Sequence, residues 1–162
     1  MTRVDLSEVS CSIARTVAVM SDAWSWLIVR DLAVGLGRFD ELHTDLGISR
    51  KVLSQRLIEL TEAGVVERRA YQEHPPRFEY QLTEQGRDLI PVLRAMVTWG
   101  DEWRPTGRGA PMRYEHASCP GSRPEAVCDV CAEPVDPDDL VPVAGPGGRH
   151  GPGTALIGGY LK

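Results

Sequence analysis

Apolar positions recur at steps of three and four along most of the chain before Trp103, and the period shortens to two only between residues 65 and 82. Val9, Ile13, Val17 and Met20 share one face of a helical projection and predict a first helix. A second is predicted from Ser21 and Asp22, whose side chains suit an N-cap, along Trp24, Leu27, Ile28 and Leu32 to the Gly35-Leu36-Gly37 stop. Phe39 to Leu46 is short and amphipathic, and Gly47 stands where a left-handed C-cap would end it. Ser49 then opens a helix whose stripe is Val52, Leu53, Leu57 and Leu60, closing at Glu62-Ala63-Gly64.

From Val65 the alternation is that of strands: Val65 to Tyr71, a turn at Glu73-His74-Pro75-Pro76, then Arg77 to Leu82. The tandem prolines cannot donate to a ladder and so belong to the hairpin tip. Thr83 is read as the cap of one long helix carrying Leu89, Leu93, Met96, Trp99 and Trp103, kinked at Pro91. Two short helices around a Gly47 turn, then a hairpin, is the order of a winged helix-turn-helix over residues 24 to 83. The expected class is therefore α+β, mainly helical, with a β-hairpin wing.

Charge makes this order informative. The net charge of −5 opposes indiscriminate polyanion binding, yet no acid occurs from residue 49 to residue 56. The outward positions there are Ser49, Arg50, Lys51, Ser54, Gln55 and, in part, Arg56, types that hydrogen-bond base edges and phosphates from a helix lying in the major groove. Arg38 ahead of the first short helix, Arg69 on the first strand and Arg77 at the tip are candidates for the neighbouring backbone. A basic amphipathic helix is also, more plainly, a solvated face, and helix-turn-helix folds serve as protein-interaction modules as well. Only two of the eighteen basic residues are Lys, a skew that suits fork-like contacts and also a GC-rich genome.

The blocks Asp22-Ala23-Trp24-Ser25-Trp26-Leu27-Ile28-Val29-Arg30-Asp31-Leu32, Arg38-Phe39-Asp40-Glu41-Leu42, Gly47 to Leu57, Glu62-Ala63-Gly64-Val65-Val66-Glu67-Arg68 and Glu79-Tyr80-Gln81-Leu82-Thr83-Glu84-Gln85-Gly86 resemble the HxlR family of MarR-like regulators in order and spacing. The resemblance covers about residues 9 to 103 and implies a homodimer paired through the first and last helices, binding a pseudo-palindromic operator on double-stranded DNA as a repressor. Arg38 lacks the second basic residue often found beside it in that family, and Ser25 replaces a usual threonine. A dimer is also what genomic specificity requires, because one recognition helix spans too few base pairs. The apolar stripe from Leu89 to Trp103 is the natural pairing surface, unless it completes the core of its own domain.

Composition changes after Trp103: nine of the twelve prolines and ten of the sixteen glycines fall in residues 104 to 162. The expected division is a DNA-binding and dimerisation domain, 1–103, and a small extension, 104–162. Within the extension, His116-x2-Cys119-x8-Cys128-x2-Cys131 offers four tetrahedral ligands in two pairs, with His150 in reserve. Thiolates with imidazole suit structural zinc, and a Pro/Gly-rich tail with few large apolar groups needs such a staple. A similar His/Cys extension ending in Gly-Pro-Gly, here Gly145-Pro146-Gly147, occurs in some members of the resembled family.

Cys11 heads the first helix, where some relatives in that family carry a thiol that senses quinones, aldehydes or oxidants; a small hydrophobe buried at the dimer interface is the plainer role. Arg15 stands one helical turn on from it. A redox or small-molecule effector is thus an expectation of the resemblance, beside the alternatives of a zinc-containing protein-interaction module and a thiol sensor. Enzyme classes are disfavoured by the lack of a Gly-rich phosphate loop, a nucleophile elbow, an H-E-x-x-H run or a carboxylate partner for the cysteine cluster. No apolar run approaches membrane length and the N-terminus has no leader pattern, so a cytoplasmic protein without membrane contact is expected.

Overall fold

The computed structural model describes residues 6, 9, 11–105, 107, 109–112, 114–119, 122, 126–135, 137, 140, 141 and 143. Two compact units divide the chain, one containing Thr16–Arg104 and the other Val4–Arg15 with the residues from Pro105 onward. The elements run α1 (Ser12–Val19), α2 (Ala23–Ala33), α3 (Phe39–Leu46), α4 (Arg50–Glu62), β1 (Val66–Gln72), β2 (Arg77–Leu82), α5 (Glu84–Arg87) and α6 (Ile90–Trp103). No helix among the described residues is long and apolar enough to cross a membrane.

Local chemistry sets the boundaries. Asp22 caps α2, one carboxylate oxygen accepting from the N–H groups of Trp24 (2.8 Å) and Ser25 (3.2 Å), the other from the Ser25 hydroxyl (2.8 Å). Gly47 ends α3 in the left-handed region (φ 63°), where its N–H reaches the His43 carbonyl. Two residues on, the Ser49 hydroxyl accepts from the Val52 N–H at 3.3 Å and starts α4. The helix-turn-helix therefore turns at the residues the spacing singled out.

Leu53, Leu57 and Leu60 of α4 meet Ile28 and Val29 of α2, Leu42 of α3 and Val65 and Val66 in one core, all nearly inaccessible to water. Burying each such side chain stabilises by roughly 1.5–3 kcal/mol, so this cluster fixes how α4 is rotated. β1 and β2 pair antiparallel from Val66↔Leu82 to Gln72↔Arg77, with an irregularity between Ala70 and Gln72 that leaves Tyr71 unpaired. The Tyr80 N–H donates to the Gly37 carbonyl at 2.7 Å, and Arg38 bridges Glu79, so the segment before α3 lines the free edge of β2.

One expectation is corrected. The helix after the wing is not one kinked rod but two: α5 ends at Arg87, and Pro91 lies in the first turn of α6. Lacking an N–H, proline fits a first turn, where that donor has no helical acceptor anyway. On α1, Ile13 and Val17 stay exposed, while Met20, just beyond its end, is buried in the core.

A buried charge sits inside. Asp31 on α2 is 1% exposed, bonded through one oxygen to Arg30 (2.5 and 2.8 Å), which also reaches Asp45 on α3 at 3.0 Å. The other Asp31 oxygen has no partner, and burial pushes the carboxyl above its ordinary value more than Arg30 draws it down. A raised folded pKa means that the folded state takes up the proton before the unfolded state does. The contribution of Asp31 to stability is thus least favourable at neutral pH and improves as pH falls through the folded value towards the lower unfolded one. The melting temperature of the wild type relative to Asp31→Asn is expected to rise from neutral to mildly acidic pH; thermal melts of both across that range check it.

Thr83 joins the wing to α5. Its N–H donates to the Val65 carbonyl (3.1 Å), its hydroxyl donates to the Gly64 carbonyl (2.6 Å) and accepts from the Gly86 N–H (3.1 Å). Gly86 is held so close that an added Cβ would stand 2.2 Å from the Val65 carbonyl oxygen, which is backbone and cannot yield. Gly86→Ala should cost about 1–3 kcal/mol of stability, read as a lowered urea midpoint with unchanged slope.

Candidate nucleic-acid interface

With Leu53, Leu57 and Leu60 committed to the core, the opposite side of α4 faces solvent. Ser49, Arg50, Lys51, Ser54 and Gln55 are all exposed there. Arg50 lies against α3, its guanidinium 2.8 Å from Asp40 and 4.7 Å from the centre of the Phe39 ring. Both partners of that ion pair are well exposed, so it is worth little and yields readily to a phosphate. Gln55 donates to Glu59 at 3.0 Å. Lys51 and Ser54 carry no contact of that kind with the described residues.

Arg56 is placed differently. Half-buried, it pairs with Asp22 at 3.2 Å and with Glu59, one turn on, at 2.5 Å. It thereby ties α4 to the cap of α2, standing apart from the outward face. Sequence reasoning put it partly outward because helical spacing alone leaves a position beside the stripe undecided.

The same reasoning passed over Ile58, which is 52% exposed on α4 beyond Ser54 and Gln55. The signal was present: an isoleucine next to the buried Leu57 is turned about 100° from it, off the stripe.

On the wing, Arg69 is exposed and pairs with Glu67 at 2.6 Å, while Arg68 stacks 3.6 Å from the Phe78 ring centre. Arg77 is exposed at the start of β2. Arg38 lies over the Tyr71 ring at 5.1 Å, and a groove between the start of α3 and the wing is lined by Arg38, Phe39, Asp40, Glu41, Tyr71, Arg77 and Phe78. Stacking on aromatic rings orders guanidinium groups while leaving their N–H edges available for phosphate. The structure thus puts Arg38, Arg50 and Arg77 around one end of the helix-turn-helix and Lys51, Ser54, Gln55 and Ile58 along α4.

α6 leaves Val92, Met96, Trp99 and Trp103 exposed, the last two 57% and 63%, while Leu93 turns into the core. Their spacing of four, three and four is that of a helix-pairing seam.

In the other unit, Cys11 is half-buried and its carbonyl accepts from the Arg15 N–H, whereas the Arg15 guanidinium lies on Ser12 at 3.0 Å. The four candidate ligands come together in two pairs. His116 Nδ1 is 3.4 Å from Cys119 Sγ. The Cys128 sulfur accepts from the N–H groups of Cys131 and Val130 and from the Cys131 thiol, which hold it below its ordinary pKa. No three His, Cys, Asp or Glu side chains among the described residues converge as a metal site. His150 lies outside the described residues.

Known proteins point the same way as this geometry. The profile of a family described as HxlR-like helix-turn-helix matches residues 19–108. An uncharacterized HTH-type transcriptional regulator of Mycobacterium tuberculosis, Rv3095, is 37% identical over 137 residues, 84% of this chain and 87% of that protein. The crystal structure of PA1607, described as a candidate transcription factor, superposes with a TM-score of 0.72 at 34% identity over 85% of this chain and 96% of its own. The redox regulator HypR in its reduced form gives a TM-score of 0.53 at 32% identity, over 57% of this chain and 92% of its own.

Proposed function

The chain belongs to the HxlR-like helix-turn-helix family and is a transcriptional regulator of the helix-turn-helix type; from that premise we propose that it binds a pseudo-palindromic operator as a homodimer and represses transcription there. The observation that carries this reading is the outward face of α4, where Ser49, Arg50, Lys51, Ser54 and Gln55 are exposed together on a helix whose rotation is fixed by its buried leucines. Lys51 and Arg50 supply phosphate contacts, Ser54 and Gln55 hydrogen-bond base edges, and Ile58 suits a thymine methyl. Arg38, Arg69 and Arg77 engage the flanking backbone. Arg56 acts indirectly, by holding α4 in place.

Two half-sites centred about 10 base pairs apart demand two such helices on one face of the duplex. The α6 stripe supports pairing between copies, because Val92, Met96, Trp99 and Trp103 form an exposed row of large apolar side chains beside an otherwise covered core. A dimer seated across two half-sites near a promoter blocks polymerase by occupancy, which gives repression as the sign.

Electrophoretic shifts on the DNA upstream of the chain's own gene test the interface. Lys51→Ala should weaken binding several-fold and lower the salt slope by about one, since one phosphate contact is lost. Gln55→Ala should weaken it by about 1–3 kcal/mol with the slope unchanged. Unaltered shifts in a Lys51→Ala, Gln55→Ala double variant would remove α4 as the reading helix. A promoter-reporter fusion checks the sign.

Sedimentation checks the pairing. Met96→Glu with Trp99→Glu should leave the chain monomeric at concentrations where the wild type is a dimer, with DNA affinity reduced at least tenfold because each half-site then binds alone.

A further inference from the structure

We propose that the pairs His116–Cys119 and Cys128–Cys131 are the two halves of one closed, structural zinc site in the C-terminal unit. Each pair is already shaped as a half-site. His116 and Cys119 face each other across a short turn, closed by the Cys119 N–H on the His116 carbonyl (2.8 Å) and by the Ser122 hydroxyl accepting from the His116 N–H (2.9 Å). Cys128 and Cys131 lie on a tight hairpin. The Cys128 N–H donates to the Glu133 carbonyl, the Ala132 N–H to the Cys128 carbonyl (both 2.9 Å), and the Val135 N–H to the Ala126 carbonyl (3.0 Å).

The turn closes on Ala132 at φ 59°, the one non-glycine residue of positive φ among the described residues. A left-handed residue just after the second cysteine lets the chain reverse and brings both sulfurs to one side. One imidazole nitrogen and three thiolates are the donor set that selects a tetrahedral, thiophilic ion, and four protein donors leave no position for a reacting water.

A second observation asks for the staple. Every buried apolar residue among those described lies between Met20 and Leu93, none of them in the C-terminal unit. There Val127, Val130, Leu140, Val141 and Val143 are all more than half exposed, Val130 at 90%. Ordered turns without a core need a cross-link, and no disulfide is formed among the cysteines. The pairs are separate in the structure, and the eight residues between Cys119 and Cys128 can span up to roughly 30 Å, ample for the halves to meet on an ion. Each thiol gives its proton to solvent on ligation, so three protons leave per ion and no electron moves.

The test uses the full chain, purified under reducing conditions without chelator. Elemental analysis should find about one zinc per chain. After replacement by cobalt(II), the tetrahedral visible bands and the thiolate charge-transfer band should appear. Each of Cys119→Ser, Cys128→Ser and Cys131→Ser should lower the charge-transfer intensity by about a third, one thiolate of three. Cys11→Ser should leave it unchanged. His116→Ala should keep the charge-transfer band but lose zinc to a competing chelator at least tenfold more readily. Zinc far below stoichiometry, a cobalt spectrum without thiolate charge transfer, a loss that follows Cys11, or a Cys128–Cys131 disulfide in the native chain would each overturn the proposal.

Discussion

The rotation of α4 is the constraint on which the remainder depends. Leu53, Leu57 and Leu60 recur at helical spacing and are nearly inaccessible, locked against Ile28, Val29, Leu42, Val65 and Val66. Any turn of the helix about its axis would expose a leucine and cost a few kcal/mol, far more than any surface ion pair supplies. The polar and basic positions are therefore not merely tolerated at the surface; they are aimed there by what is buried behind them. Arg56 reinforces the same angle through Asp22 and Glu59. One stripe thus sets both the stability of the unit and the direction of its candidate reading face.

What could be read in the chain follows from how local each cause is. Asp22, Gly47 and Ser49 announce α2, the end of α3 and the start of α4 because a cap is decided within a few residues, and each does in the structure what its chemistry implies. The wing was legible for the same reason: prolines at 75 and 76 can only sit at its tip. Pro91 was misread because a proline is compatible with both a kink and a first turn, and the choice depends on α5 being held by Thr83 and Gly86 against Val65, a contact between distant segments. Arg56 and Ile58 flank the stripe, where a few degrees of helix rotation decide between burial and solvent. Periodicity cannot resolve such an angle; packing does.

The acidic chain and its candidate interface are reconciled by how charge is distributed. A net charge of −5 describes the far field, which at physiological salt is screened within about 8 Å. At contact range the surface of α4 presents Arg50 and Lys51 with Glu59 set back towards its end, and the guanidinium groups of Arg38 and Arg50 are held on aromatic rings. Ordering these side chains in advance lowers the entropy lost on docking. On α6 the row of Met96, Trp99 and Trp103 is likewise already displayed at the surface.

The two units contrast in how they secure their structure. Around α4 the apolar residues are numerous and large enough that burial alone holds the helices, and polar groups need only cap and orient. The C-terminal unit reverses the proportion: prolines and glycines are frequent in its sequence, and Val127, Val130, Val141 and Val143 remain in water. A segment of that composition gains little from collapse, because the apolar area it could cover falls short of the conformational entropy it must lose. What it does possess is donors of one chemical kind, set in pairs on turns that backbone hydrogen bonds have already closed. Where a core is lacking, order has to come from a few strong bonds, and in the proposed zinc site His116, Cys119, Cys128 and Cys131 would supply them.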